Sequence, residues 1–173
     1  MGCLAGPVVA AAVILNTDAI PKGIDDSKKL TAKKREELDL LIRESAVAFS
    51  VASASVEEID AINIFHAAKL AMVRAVEGLR QPADALLIDG KHALKIELPQ
   101  VCIVKGDHLS VSIGAASILA KVFRDRFMRE RDEEFPGYAF ASHKGYGSVV
   151  HRQALQKLGP TPLHRKSFSW TPV

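Results

Sequence analysis

An α/β fold is predicted for this chain of 173 residues. Three observations carry the prediction. Apolar runs of strand length, bounded by turn residues, lie at 7–15 (PVVAAAVIL), 85–88 (ALLI) and 101–104 (VCIV). The segments around them repeat their apolar residues at helical spacing. Two of the runs end in a carboxylate beside a glycine, Asp89–Gly90 and Gly106–Asp107, where open α/β sheets hold their ligands.

The first strand, residues 7–15, starts almost at the beginning of the chain, although a central strand normally has an element leading into it. Residues 21–29 (PKGIDDSKK) form a polar loop. Thr31 is placed as the N-cap of a helix running to about residue 46, with Leu38, Leu41, Ile42 and Ala46 on one face. Residues 46–54 make a third strand with weak alternation. Ser55 and Glu58 form a capping-box pattern. A short helix follows, and then a longer one from about Asn63 to Leu79 with Ile64, Ala68, Ala71, Met72, Ala75 and Leu79 along its stripe. After the two Asp-terminated strands comes a helix over 110–131, apolar almost all round in its first half and charged in its last, which describes a helix that enters the core and leaves it. Residues 135–147 read as a loop rich in Gly, aromatics and His. Ser148 caps a last helix that stops at Gly159 and Pro160. No repeat or linker divides the chain, so residues 1–173 read as one domain.

Lys and Arg number 23 against 20 Asp and Glu, a net charge of +3. That excess is too small to imply a nucleic-acid partner by itself. Its distribution is more informative, because basic residues cluster at 28–35, 143–152 and 164–166, and such clusters suit phosphate backbones as well as solvated faces. Cys3 and Cys102 have no metal-ligand spacing and read as reduced thiols of a cytoplasmic protein. The apolar opening run lacks a basic leader and contains Pro7, unlike a signal peptide. No segment is long and apolar enough to span a bilayer.

Two carboxylates at neighbouring strand ends can share a hard divalent cation, since magnesium and manganese take oxygen ligands and magnesium often uses one or two carboxylates with water and phosphate. The alternative stays open at this point. Asp107 can cap the helix that follows, and Asp89–Gly90 can be a turn. A small-molecule α/β domain is a weaker reading, because no Gly-rich phosphate loop is present.

Taken together, GCLAGPVVAAAVIL (2–15), DDSKKL (25–30), EEIDAINIFHAAKLAMVRA (57–75), LLIDGK (86–91), VKGD (104–107), AASILAKVFRDR (115–126), HKGYGS (143–148) and GPTPLHRKSF (159–168) resemble ribonuclease HII, the bacterial type 2 ribonuclease H. The match is collinear over nearly the whole chain. The resemblance implies an RNase H-like fold, a mixed five-stranded sheet flanked by helices. It also implies an endonuclease that cuts the RNA strand of RNA–DNA hybrids and cuts at ribonucleotides embedded in duplex DNA. Four carboxylates and Mg2+ or Mn2+ are implied for its site, and a monomer for its intact form.

Asp89 and Asp107 match the third and fourth of those carboxylates and are the expected catalytic, metal-holding residues. The resemblance puts an Asp-Glu pair and a Gly-Arg-Gly loop ahead of CLAGPVV. Only the last glycine of that loop, Gly2, is matched, and Met1 stands at the arginine position. The chain therefore reads as an N-terminally truncated member whose first strand is missing, expected to be inactive as written. The alternative is a non-catalytic nucleic-acid-binding remnant. For the substrate, the resemblance implies Gly2 near the 2′-hydroxyl, Ser27 and Lys28 at backbone phosphate, and Tyr146 on the sugar at the ribonucleotide junction, with His143, Lys144, Arg165 and Ser167 as further contacts.

Overall fold

The computed structural model describes residues 2–170, so the reading of Met1 at the arginine position lies outside the described residues. The elements in chain order are β1 (Val8–Ile14), α1 (Ala32–Ser45), β2 (Ala48–Ala54), α2 (Val56–Glu77), β3 (Leu86–Asp89), β4 (Gln100–Ile103), α3 (Gly106–Leu109), α4 (Val111–Glu134), α5 (Phe140–His143) and α6 (Val149–Leu158). The α/β class is as the sequence predicts. The chain gathers into two compact units: one of Met1–Val8, Ala54–Ala68 and Phe123–Val173, the other of Val9–Ser53 and Lys69–Val122.

Local signals in the sequence became local structure. Thr31 Oγ1 accepts the N–H of Lys34 at 3.2 Å and starts α1. Ser55 and Glu58 close a reciprocal box, Ser55 N–H to Glu58 Oε2 at 2.8 Å and Glu58 N–H to Ser55 Oγ at 3.2 Å. The short and long helices expected after it are joined at Asn63, which is non-helical (φ 64°). Its Oδ1 accepts the N–H groups of Phe65 and His66, so it caps the second part. Ser148 and Gly159 bound α6 as expected.

Other expectations are corrected. On α1 the buried face takes Leu38, Asp39 and Ile42, while Leu41 is exposed. At 3.6 residues per turn Asp39 and Leu41 flank the line through Leu38 and Ile42 equally, so the packing around α1 chooses between them, and Arg43 Nε donates to the Asp39 carboxylate at 3.0 Å. Within 135–147, residues 140–143 form the short helix α5, entered and left through left-handed residues Ala139 and Lys144. The fourth run shifts by one residue, to Gln100–Ile103, because Val104 and Lys105 turn the chain into α3.

In place of one mixed sheet, the described residues form two sheets of two strands each, β1 with β2 and β3 with β4. Ile14 at the end of β1 accepts from Val47 just before β2, so those strands run antiparallel. β3 and β4 are parallel, with Asp89 beside Ile103. Between β1 and β3, within the second unit, lies a cavity of about 700 Å³. Consecutive residues of both strands line it, which only a backbone edge can do, since successive side chains point to opposite faces. Small residues of α4, among them Ala116, Ser117 and Ala120, close its floor.

The second unit has one core of Leu38, Ile42, Ala115, Ile118, Leu119 and Val122 packed against β1 and β2, and another around Leu86, Ile88 and Leu94. The first unit packs Leu4, Ala5, Met128, Tyr138, Phe140, Ala154 and Leu155. His151 and His164 are fully buried beside Phe140. Burial disfavours their charged forms and lowers each from 6.5 to about 4. Below pH 6.5 the unfolded chain binds protons at these positions that the folded chain does not. Stability is therefore expected to fall as pH falls from 6.5 to 4, by up to about 1.4 kcal/mol per pH unit for each histidine. Urea midpoints across this window, compared with those of His164→Gln, measure it; an unchanged slope in the variant would count against the buried neutral imidazole.

Candidate active site

Parallel pairing brings the C-terminal ends of β3 and β4 side by side. Asp89 is the last residue of β3 and is exposed. After β4 the chain turns at Lys105, which is left-handed (φ 58°), and enters α3 at once. Gly106 N–H donates to Asp89 Oδ1 at 2.9 Å, tying the first turn of α3 to the end of β3. A Cβ on Gly106 would stand 2.5 Å from Ile113 Cδ1, so the close approach favours glycine.

Asp107 is not at a strand end as predicted. It is the second residue of α3, because the turn at Lys105 ends β4 first, and it is only 9% exposed. Nor does it cap the long helix: Ser110 does, its Oγ accepting from Ile113 N–H and its carbonyl from Gly114 N–H. Asp107 Oδ2 instead meets Lys28 Nζ at 3.0 Å. Lys28 is held above the usual lysine range, first by this hydrogen bond; desolvation opposes the rise, and the charges of Asp107, Asp26 and Asp89 each add a smaller one.

The loop that delivers Lys28 is built from its own side chains. Asp26 Oδ1 accepts Lys28 N–H at 2.9 Å, an Asx turn. Ser27 is 3% exposed, its hydroxyl 2.9 Å from Ser117 Oγ on α4, and Arg35 holds its carbonyl at 2.9 Å. Ser27 thus anchors the loop from inside, and the Lys28 side chain, 77% exposed, is the part that reaches out. Alongside, Lys29, His108 and Asp25 form a second exposed group, with Lys29 Nζ 3.1 Å and Asp25 Oδ1 3.4 Å from His108 Nδ1. A hydrogen bond from Asp26 N–H, then His108, lowers the Asp25 pKa. Sequence reading did not single out Asp25, Asp26 or His108; the consecutive aspartates of DDSKKL were the signal available.

The donor set suits a hard divalent cation in part. Asp89 Oδ2 and Asp107 Oδ1 accept no hydrogen bond among the described residues, and the Lys28 ammonium already stands as a cation beside Asp107 in the field of Asp89. Two carboxylates leave room for water and phosphate oxygens, the habit of magnesium. No group of three or more His, Cys, Asp or Glu able to hold a metal gathers among the described residues.

The remaining predicted residues belong to the first unit. Tyr146 is 47% exposed, with the Arg124 guanidinium 5.7 Å from its ring centre, and its backbone bridges to Cys3. Burial raises its phenol pKa, with Cys3 adding to the rise. Gly145 before it has φ +80°, and a Cβ there would lie 2.5 Å from Ala5 O, so only glycine lets Tyr146 emerge at this point. Lys144 is half-buried, its ammonium donating to Ala141 O. Gly2 is exposed, with open space where a Cβ would stand. Arg165 is 1% exposed and donates to Gly6 O at 3.0 Å and Pro7 O at 3.4 Å. Its guanidinium therefore faces backbone carbonyls, and burial lowers its pKa to about 10. Ser167 is exposed, with N–H and Oγ donating to Asp60 Oδ1 at 2.9 and 2.6 Å. Sequence reading missed Arg124, which donates to the carbonyls of Ala5, Pro7 and Lys144 and underlies the Tyr146 ring.

No helix among the described residues is long and apolar enough to cross a membrane. The family model for ribonuclease HII matches residues 1–171. A ribonuclease HII of Caulobacter vibrioides (strain NA1000 / CB15N) is 54% identical over 172 residues, 99% of this chain and 81% of that protein. The crystal structure of ribonuclease H2 from Pyrococcus horikoshii OT3 superimposes with a TM-score of 0.81 at 24% identity, over 98% of this chain and 90% of that one. A chain from the PCNA:RNase HII complex of Archaeoglobus fulgidus matches with a TM-score of 0.79 at 27% identity, over 95% and 87%. The RNase H-like α/β fold is the one these structures share with it. A match along almost the whole sequence, and a relative more than half identical, establish that the chain belongs to the ribonuclease HII family of nucleases.

Proposed function

We propose that the chain carries the catalytic and substrate-binding residues of an endonuclease that hydrolyses the RNA strand of RNA–DNA hybrids and cuts duplex DNA at embedded ribonucleotides. It would work in the cytoplasm in replication and repair, as a monomer in its intact form. The observation that carries this reading is the pair Asp89 and Asp107 with a cationic group, Lys28, already held against them. Asp89 and Asp107 would hold Mg2+ or Mn2+, which when bound activates a water and stabilises the leaving 3′-oxygen. The bond from Gly106 keeps the Asp89 carboxylate in one orientation. Lys28 and Lys144 neutralise backbone phosphate, adding affinity and salt dependence but no sequence preference. Tyr146 packs on the sugar, and Gly2 leaves main chain open beside a 2′-hydroxyl, the group that tells RNA from DNA. Ser27 and Arg165 serve indirectly, by fixing the Lys28 loop and the carbonyls of Gly6 and Pro7. Ser167 is a lesser contact, restrained by Asp60.

The 173-residue polypeptide supplies two of the four carboxylates that the resemblance implies. By itself it is expected to bind a hybrid and cut it poorly. One observation favours a second reading, a nucleic-acid-binding protein without catalysis: no three metal-ligating side chains gather among the described residues. A gel cleavage assay with Mg2+ or Mn2+ separates the two, run on the 173-residue chain and on a form given an Asp-Glu strand and Gly-Arg-Gly loop ahead of Gly2. Binding without cutting by both forms would favour the second reading.

In the extended form, Asp89→Asn is expected to lower turnover at least about a hundredfold, more than loss of an outer partner of a metal ligand, and hybrid affinity should stay within about threefold because phosphate contacts remain. Asp107→Asn should act in the same direction. Wild-type turnover in Asp89→Asn would remove it from the mechanism. Tyr146→Ala should reduce cutting at a single ribonucleotide about fivefold more than cutting of a continuous hybrid, the lower end of what an aromatic contact to a nucleotide contributes. Equal losses on the two substrates would refute the junction role.

A further inference from the structure

The first unit holds three imidazoles whose protons can be assigned from their neighbours. Thr161 N–H points at His164 Nδ1 from 2.8 Å. A backbone N–H can only donate, so His164 Nδ1 is an acceptor and the proton of this ring is on Nε2. His164 Nε2 is 3.0 Å from His151 Nε2. His164 donates there, so His151 Nε2 is the acceptor and the His151 proton is on Nδ1. That nitrogen lies 2.9 Å from the carbonyl oxygen of Tyr146. The donors therefore run in one direction, from Thr161 through His164 and His151 to Tyr146. His151 and His164 are 0% and 1% exposed, so water does not compete for any of these bonds.

His143 closes the other side of the same turn. Its Nδ1 accepts Gly145 N–H at 3.1 Å, and its Nε2–H donates to Tyr138 O at 2.8 Å. It stacks on His151 with ring centres 4.3 Å apart and planes 13° apart. Tyr146 N–H donates to His143 O at 2.9 Å, and Tyr146 O also accepts Ser148 N–H at 2.8 Å. The backbone of Tyr146 is fixed from within, while its ring stands 47% exposed over Arg124.

We propose that His151 and His164 are positioning residues that set ribonucleotide selectivity through Tyr146: His164 selects the Nδ1–H tautomer of His151, and His151 holds the Tyr146 carbonyl so that the ring meets a sugar in one place. This rests on the reading of Tyr146 given under the proposed function. The chemical reason is specific. If His164 could not donate, His151 could carry its proton on Nε2, and its Nδ1 lone pair would then face the Tyr146 carbonyl oxygen, where a donor is needed. Phosphate contacts elsewhere would survive that change, and the sugar contact would not.

The test uses the full 173-residue chain in EDTA, with fluorescence anisotropy on two labelled duplexes, one all DNA and one with a single ribonucleotide. The wild type should prefer the ribonucleotide duplex, and Tyr146→Ala should abolish the preference. His151→Leu and His164→Leu should each reduce the preference about fivefold, the size of one net hydrogen bond, with all-DNA affinity changed less than about twofold. His151→Asn keeps an N–H where Nδ1–H was, and His164→Gln keeps one where Nε2–H was, so both should retain the preference. A long-range proton–nitrogen spectrum of the wild-type imidazoles at pH 7 gives a readout independent of nucleic acid and of how the variants fold. It should show Nδ1–H for His151 and Nε2–H for His164. The opposite tautomer or a charged ring at either position would overturn the relay alone. A preference lost in Tyr146→Ala but intact in folded Leu variants would also overturn the relay alone. A wild type with no preference would overturn both this inference and the Tyr146 reading on which it stands.

Discussion

The hydrogen bond from Gly106 N–H to Asp89 Oδ1 is the contact on which the candidate active site depends. It joins the end of one strand to the first turn beyond its parallel neighbour. Without it, Asp89 would be an exposed carboxylate on a four-residue strand, free to rotate. With it, one oxygen is fixed and the other remains available. The same bond serves the start of α3, whose N-cap, Lys105, supplies no side-chain acceptor. Asp89 therefore has a structural duty and an open oxygen at once, so a turn-and-cap reading and a metal-ligand reading of this residue are compatible.

Charge in this region is arranged around the carboxylates rather than scattered. Asp107 is buried and meets one cationic group, Lys28. Lys28 in turn is presented by a loop whose Ser27 is locked to Ser117 and whose carbonyls are held by Arg35. With its lysine 77% exposed, the pair contributes little to stability, because water screens the ammonium and the lysine loses rotamer freedom. The significance of this pair is that a positive group already stands at the Asp107 carboxylate.

The first unit solves a different problem, that of bringing polar backbone into a packed interior. Residues 3–7 run through the core and, among the described residues, pair with other segments only at isolated bridges, Cys3 with Tyr146 and Ala5 with His164. Their carbonyls are met by Arg124 and Arg165, and Leu4 O accepts Arg165 N–H. Unpaired buried carbonyls are costly, and an arginine can satisfy several at once from a planar fork. The histidines meet the same need at the Tyr146 turn, as neutral groups whose burial costs less than that of a charge. Reading Arg165 as a direct substrate contact misses this, since an arginine in a basic tail looks exposed until the packing around it is known.

The sequence by itself determined the longer elements and several of their ends, but not the short helices α3 and α5 or the end of β4. Thr31, Ser55 with Glu58, Asn63, Ser148 and Gly159 act on N–H and C=O groups within four residues of themselves, so their effect is legible without a fold. It also determined the family, because the motif set is collinear. The tertiary structure decided what distance along the chain conceals. Ser27 and Ser117 are 90 residues apart, Lys28 and Asp107 79, and His151 reaches His164 across a turn that periodicity does not describe. Whether a polar side chain faces water, a carbonyl or another ring depends on which elements pack against it. That is why Asp39 and Arg165 proved buried and Leu41 exposed, and why β1 and β3 face a cavity along their edges instead of a neighbouring strand.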